Sequence, residues 1–80
     1  MTQFINTEVD VNAYYFAGKE MKTFPRQMEY GGQAITFADG LRLRLQQAGR
    51  LTYFFDMRGA DGETYRLMQE GSRWLLIGTY

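Results

Sequence analysis

The chain contains no cysteine and no histidine, and it has one proline, Pro25, and one serine, Ser72. Without cysteine, neither a disulfide nor a thiolate metal site can form. Without histidine, the Ser-His and Cys-His nucleophile pairs, His-ligated zinc and the commonest acid/base near neutral pH are all excluded. We therefore expect no enzyme, no metal ion and no cofactor. Catalysis would have to depend on carboxylates, Tyr or Lys, or on a tightly bound cofactor.

Charge and hydropathy exclude further classes. Nine Lys and Arg balance nine Asp and Glu, so the formal net charge is zero. A neutral chain has no general attraction to nucleic acid or to an anionic membrane. No apolar run approaches the roughly 20 residues of a spanning helix, and residues 1–10 lack the features of a signal peptide. We expect a cytoplasmic protein with no membrane contact.

What the chain does have is aromatic bulk and regularly spaced turn signals. Eighty residues fit one domain, residues 1–80, whose core can include six Phe, six Tyr and one Trp. Short Gly-containing segments recur at spacings typical of antiparallel strands joined by hairpins. These segments are Ala17-Gly18-Lys19, Gly31-Gly32, Ala38-Asp39-Gly40, Ala48-Gly49, Ala60-Asp61-Gly62 and Glu70-Gly71. The acids Asp39, Asp61 and Glu63 lie in or beside these turns without the ligand spacing of a calcium loop.

Between the turns, apolar residues alternate with polar ones, as in Leu41-Arg42-Leu43-Arg44-Leu45. This period of two predicts half-buried strands rather than amphipathic helices. We assign three-residue loops to 38–40, 47–49 and 60–62, and two-residue turns to 31–32 and 70–71. In this register the large apolar residues share one face, which is the predicted inner face: Met28, Ile35, Phe37, Leu41, Leu43, Leu45, Leu51, Tyr53, Phe55, Met57, Tyr65, Leu67, Trp74 and Leu76.

The predicted fold is all-β, an antiparallel meander of about six strands in residues 26–80 that curls into a small barrel. A sheet with one apolar face must be covered, and closure into a barrel achieves that. Residues 1–24 form either an additional strand or a short helix across the sheet, and their β-branched and aromatic content favours a strand. Pro25 should interrupt any continuous strand there, and it indicates an edge or a bulge.

The opposite, outer face of the predicted meander is the candidate site. It contains an apolar strip bordered by arginines, with Asp56 as the one central acid and Arg66 as its expected cross-strand partner. The predicted binding residues are Phe54, Arg42, Arg44, Arg66, Arg73, Met68, Leu75 and Ile77.

Apolar strips with arginine at their border are typical of protein interfaces. The strip therefore predicts a small non-catalytic module that binds a protein partner or a second copy of itself. An alternative is single-stranded nucleic-acid binding through the same Arg and aromatic side chains. A further alternative is structural, in which the strip only packs across strands or is covered by residues 1–24.

Overall fold

The computed structural model describes residues 3–17 and 22–79 of the chain. Every described element is a β-strand or a connecting turn, as the alternating pattern predicts. The strands are β1 Gln3–Ala17, β2 Lys22–Tyr30, β3 Gln33–Gln47, β4 Arg50–Gly59, β5 Thr64–Glu70 and β6 Arg73–Thr79. None of the described residues belongs to a helix that could cross a membrane.

The six strands form a closed antiparallel barrel in chain order. Strand β1 closes it, because its first half pairs with β6 from Gln3 to Val9 and its second half pairs with β2 from Asp10 to Ala17. The predicted all-β meander and barrel are thus confirmed, and residues 3–17 are a strand rather than a helix. This segment completes the barrel wall edge to edge and does not lie across the sheet as a cover.

Proline does not interrupt the second strand, so that part of the prediction is wrong, whereas the expected bulge is present beside it. Strand β2 runs from Lys22 to Tyr30 through the buried Pro25, which pairs with Tyr14. The register of β1 shifts beside this position, and the pairing of β2 with β3 covers only Gln27–Tyr30. Pro25 therefore lies beside a bulge, where a missing N–H group is tolerated in a strand.

The first Ala-Asp-Gly triplet is also not a loop, which corrects the strand count. Strand β3 continues through it, with Phe37 opposite Gly59 and Asp39 opposite Arg58, so that Ala38 is the extra residue of a β-bulge. Residues 26–80 consequently contain five strands rather than six. A bulge inserts one residue and reverses which positions face inward. Beyond Ala38, the even-numbered residues of β3 lie on the same face of the strand as Phe37, although Arg44 and Gln46 are exposed.

The turn between β3 and β4 has two residues instead of the predicted three. Ala48 and Gly49 both have positive φ, 52° and 79°, as a type I′ turn requires. Gln47 is opposite Arg50, and Leu43 is opposite Phe54 instead of the predicted Tyr53. The predicted register is therefore wrong by one residue here, and the leucines of β3 lie on the outer face.

The remaining hairpins preserve the predicted faces. Met28 pairs with Ile35, Met57 with Tyr65, and Phe55 with Leu67, as predicted. Strand β6 starts one residue later than predicted, because Glu70 pairs with Arg73 across the turn Gly71-Ser72 and Leu67 pairs with Leu76. The two-residue difference from the prediction leaves the β6 side chains from Arg73 to Leu76 on their expected faces, up to the register shift at Ile77.

The barrel interior is apolar and partly aromatic. Its buried residues are Val9, Met28, Phe37, Phe55, Met57, Tyr65, Leu67, Trp74 and Leu76. The Phe55 ring contacts two other aromatic rings, with centroid distances of 5.9 Å to Phe24 and 5.3 Å to Trp74. The Trp74 indole N–H donates to the Tyr14 hydroxyl at 3.2 Å. Eight of the predicted inner residues are in this buried set, whereas Leu41, Leu43, Leu45 and Leu51 are exposed.

Candidate protein-interaction surface

Four apolar side chains form one continuous row across the outside of the barrel. Leu43 of β3 is directly opposite Phe54 of β4, Phe54 is opposite Met68 of β5, and Met68 is opposite Leu75 of β6. We call these four residues the outer row. Directly opposite residues in antiparallel strands are about 5 Å apart, so the four side chains form one surface. Phe54, Met68 and Leu75 are half-buried, and Leu43 is 50% exposed.

Strand β3 adds a second apolar line at one end of the outer row. Leu41, Leu43 and Leu45, here called the leucine stripe, are 69%, 50% and 48% exposed. These three leucines were predicted to lie in the core, because a three-residue loop was assigned to residues 47–49 from the sequence. The signal that identifies them is the Ala48-Gly49 dipeptide, since a two-residue turn there sets Leu43 against Phe54.

The arginines that border the outer row are paired with carboxylates. Arg66 donates two hydrogen bonds to Asp56, from Nε at 2.7 Å and from Nη2 at 2.8 Å. Arg73 Nε lies 3.1 Å from Glu8 Oε1, across the junction of β6 with β1. The predicted Asp56–Arg66 pair is confirmed. These contacts oppose capture of a phosphate by either arginine, because the phosphate would have to displace a carboxylate.

Two of the predicted site residues lie on the other face of their strand. Arg42 is opposite Phe55, and Arg44 is opposite Tyr53, instead of the predicted positions on the outer face. The one-residue register difference at Ala48-Gly49 causes this change. The Arg42 guanidinium carbon lies 4.2 Å from the centre of the Tyr53 ring, which is a cation–π contact. Arg44 is exposed.

The other six predicted site residues are on the outer face, and Ile77 is the apolar residue among them that is outside the outer row. Ile77 lies where the β5–β6 register shifts, because Arg66 pairs with Gly78 and Leu67 with Leu76. It is half-buried. The structure thus brings together Phe54, Met68 and Leu75, with Arg66 and Arg73 at their border.

The depression that the described residues form at the end of the leucine stripe is open rather than enclosed. This shallow depression of about 230 Å³ is lined by Leu45, Ala48, Arg50, Thr52 and Glu70. Small-molecule sites are usually concave cavities of roughly 300–1,000 Å³. A broad apolar face with polar edges instead fits the flat surface of another macromolecule.

The carboxylate of the second Ala-Asp-Gly triplet, Asp61, stabilises a turn. The Asp61 carboxylate accepts a hydrogen bond of 2.5 Å from the Tyr65 hydroxyl and one of 3.0 Å from the Glu63 backbone N–H. These bonds lower the pKa of Asp61. The pKa of Tyr65 is raised to about 12, mainly by burial of the hydroxyl group and secondly by its hydrogen bond to the Asp61 carboxylate. Within the described ranges, no three carboxylates meet in a group that could hold a metal ion.

Comparisons of the chain with protein-family models, curated proteins and solved structures find no match. The surface itself therefore carries the functional argument.

Proposed function

We propose that this chain is a small non-catalytic module that binds another protein through the outer row and the leucine stripe. The observation that carries the proposal is the exposure of Leu41, Leu43 and Leu45 beside the half-buried Phe54. Contiguous apolar patches are uncommon on soluble monomers, and their burial in an interface is favourable. The proposal includes a cytoplasmic location.

The polar border supports a protein partner rather than a polyanion. The arginines nearest the outer row, Arg66 and Arg73, each contact a carboxylate. Such pairs leave little local excess of positive charge, whereas binding to a nucleic-acid backbone depends on that excess. Paired charges around an apolar centre match the anatomy of a protein interface.

A photo-crosslinking amino acid placed at Leu43 tests the proposal in living cells. We expect a defined adduct, with a partner protein or with a second copy of this chain. Replacement of the neighbours, Leu41→Ser and Leu45→Ser, should remove the adduct. The control is the same crosslinker at Ala34, which is exposed in the first half of β3. The absence of any adduct at position 43 would refute the proposal.

A second candidate, single-stranded nucleic-acid binding, is favoured by a different observation. The Arg42 guanidinium covers the Tyr53 ring and Arg44 is exposed next to it, a combination of cation and aromatic that can stack on bases. Titration of a labelled oligonucleotide at low salt tests this candidate. Binding that is lost in the Arg42→Ala, Arg44→Ala variant would support it, and no binding at low salt would eliminate it.

A further inference from the structure

The second half of β3 has a strand edge that no described strand occupies. Strand β2 pairs with β3 only between Gln27–Tyr30 and Gln33–Thr36. Beyond the bulge at Ala38, β3 pairs with β4 on one side as far as Gln47. Its other side, over residues 40–47, has no partner strand within residues 3–17 and 22–79. An unpaired edge presents N–H and C=O groups that can bind an additional strand.

The turn identifies which backbone groups point to that edge. In a two-residue hairpin, the residues flanking the turn exchange hydrogen bonds, and hydrogen-bonded pairs then alternate along the strands. Gln47 flanks the turn opposite Arg50, so the odd-numbered residues of β3 bond to β4. The N–H and C=O groups of Gly40, Arg42, Arg44 and Gln46 therefore point away from β4, toward the open edge.

The two faces of this edge differ sharply in chemistry. On the outer face, the leucine stripe provides apolar side chains at every second position. On the opposite face, Arg42 and Arg44 provide positive charge at the intervening positions. The guanidinium of Arg42 is fixed in place by its contact with Tyr53. A strand added at this edge would set its own alternate side chains beside these two rows.

We propose that this edge of β3 binds an extended peptide segment of a partner protein, in which acidic and apolar residues alternate. The acidic residues lie opposite Arg42 and Arg44, and the apolar residues lie beside the leucine stripe. Backbone hydrogen bonds to Gly40, Arg42, Arg44 and Gln46 hold the segment, as in other cases of strand addition. This inference deepens the proposed function, on which it rests, by naming the partner's chemistry.

A second copy of the chain does not fit the same edge. If two copies paired antiparallel through these backbone groups, Arg42 of one copy would lie opposite, or diagonally next to, Arg42 or Arg44 of the other copy. Like charges that face each other across a strand pair are destabilising. The arginines thus oppose self-pairing and favour a strand with carboxylates at the matching positions.

The test uses a short capped peptide of alternating valine and glutamate, with a valine–lysine peptide of the same length as its control. Titration by calorimetry should show binding of the glutamate peptide at least about tenfold tighter than that of the lysine peptide. The double replacement Arg42→Glu, Arg44→Glu should reverse this preference. Arg58→Glu, at an exposed arginine that has strands on both sides, should preserve it.

Amide hydrogen exchange separates strand addition from simple charge attraction. Bound peptide should slow exchange at Gly40, Arg42, Arg44 and Gln46, while Leu41 and Leu43 change little because β4 already protects them. The glutamates are the peptide residues whose N–H groups face β3, because they lie opposite Arg42 and Arg44. A peptide that is N-methylated at its glutamates cannot donate these hydrogen bonds and should bind at least about tenfold more weakly. Equal binding of the methylated peptide, or no protection at the four amides, would overturn the proposal.

The experiments also distinguish failure of this inference from failure of the proposed function. An adduct at Leu43 without binding of the glutamate peptide would refute strand addition and leave the docking face intact. If neither the Leu43 adduct nor binding of the glutamate peptide were observed, both proposals would be refuted. Light scattering that shows a dimer disrupted by Arg42→Glu, Arg44→Glu would identify a second copy at the edge and overturn the inference.

Discussion

Gly40 shows how a single residue has a different physical role from the one its sequence context indicates. The Ala-Asp-Gly triplet predicts a loop glycine, yet Gly40 lies within β3 opposite Met57. A Cβ atom built at Gly40 would lie 2.8 Å from the Asp56 carbonyl oxygen and closer still to the Met57 sulfur. The missing side chain thus leaves room for the fully buried Met57 beneath the bulge.

We predict that Gly40→Ala lowers the free energy of unfolding by about 1–3 kcal/mol, because the added methyl group overpacks this site. Urea denaturation measures the change. In a Met57→Ala background, the cost of Gly40→Ala should be smaller, since the flexible neighbour has been removed. An equal cost in both backgrounds would show that the Met57 side chain is not the obstacle.

The burial of Tyr65 and its hydrogen bond to Asp61 predict a dependence of stability on pH at both extremes. The Tyr65 pKa is raised from 10.0 to about 12, so its contribution to stability is complete below pH 10 and is lost as the pH rises toward 12. The Asp61 pKa is lowered from 3.8, mainly by the bond from Tyr65, so its contribution is present above that pH and is lost below it.

We predict that Tyr65→Phe lowers the free energy of unfolding by about 1 kcal/mol near neutral pH, the usual value of one hydrogen bond. The loss of stability between pH 10 and 12 should be smaller than in the wild type. Denaturation midpoints measured across the pH range test both expectations. In an Asp61→Asn background, Tyr65→Phe should no longer alter the acid side of the profile, and a persistent change there would assign it to other groups.

At the scale of the hairpin, the β3–β4 turn contains an unfavourable residue. Ala48 has a φ of 52°, a left-handed conformation that costs most residues with a side chain about 1–2 kcal/mol. Asparagine tolerates this conformation, and Asn-Gly is the preferred pair in a type I′ turn. We predict that Ala48→Asn raises the free energy of unfolding by about 0.5–1 kcal/mol.

Thermal denaturation of three proteins tests this prediction about the turn. Ala60 lies in the exposed turn between β4 and β5 and does not have a positive φ, so Ala60→Asn is the matched control. We expect the control to change stability by less than about 0.5 kcal/mol. Equal effects at the two positions would contradict a specific relief of strain at Ala48.

The same hairpin shows why part of the register could be predicted and part could not. The alternation of leucine and arginine in residues 41–45 correctly predicts a strand with one apolar side. The alternation does not determine which side of the strand faces the interior. The same triplet, Ala-Asp-Gly, forms a bulge at residues 38–40 and a turn at residues 60–62. Only the second triplet forms a turn, with the Gly59 N–H bonded to the Glu63 carbonyl at 2.8 Å.

The face of each candidate site residue was predicted correctly wherever the predicted strand register differed from the structure by an even number of residues. Phe54, Met68 and Leu75 were placed correctly because an error of two residues between β5 and β6 leaves their face unchanged. An error of one residue at Ala48-Gly49 exchanged Arg42 and Arg44 with the leucines. The length of the turn at Ala48-Gly49, which the alternation of leucine and arginine does not specify, distinguishes the two registers.

For the whole molecule, closure into a barrel divides the leucines into two groups. Leu67 and Leu76 are fully buried, in contact with the aromatic core. The leucine stripe lies outside the same wall and is about half or more exposed. Burial of an apolar side chain stabilises a fold in proportion to the area removed from water, so the two groups contribute very differently to folding.

We predict that Leu67→Ala lowers the free energy of unfolding by about 2–5 kcal/mol, whereas Leu43→Ala changes it by less than about 0.5 kcal/mol. Urea denaturation of both variants is the measurement. A large loss at Leu43 would favour the alternative register, in which Leu43 faces the core. With the small loss expected here, the leucine stripe does little for folding, and its apolar area remains available for the protein contact that we propose.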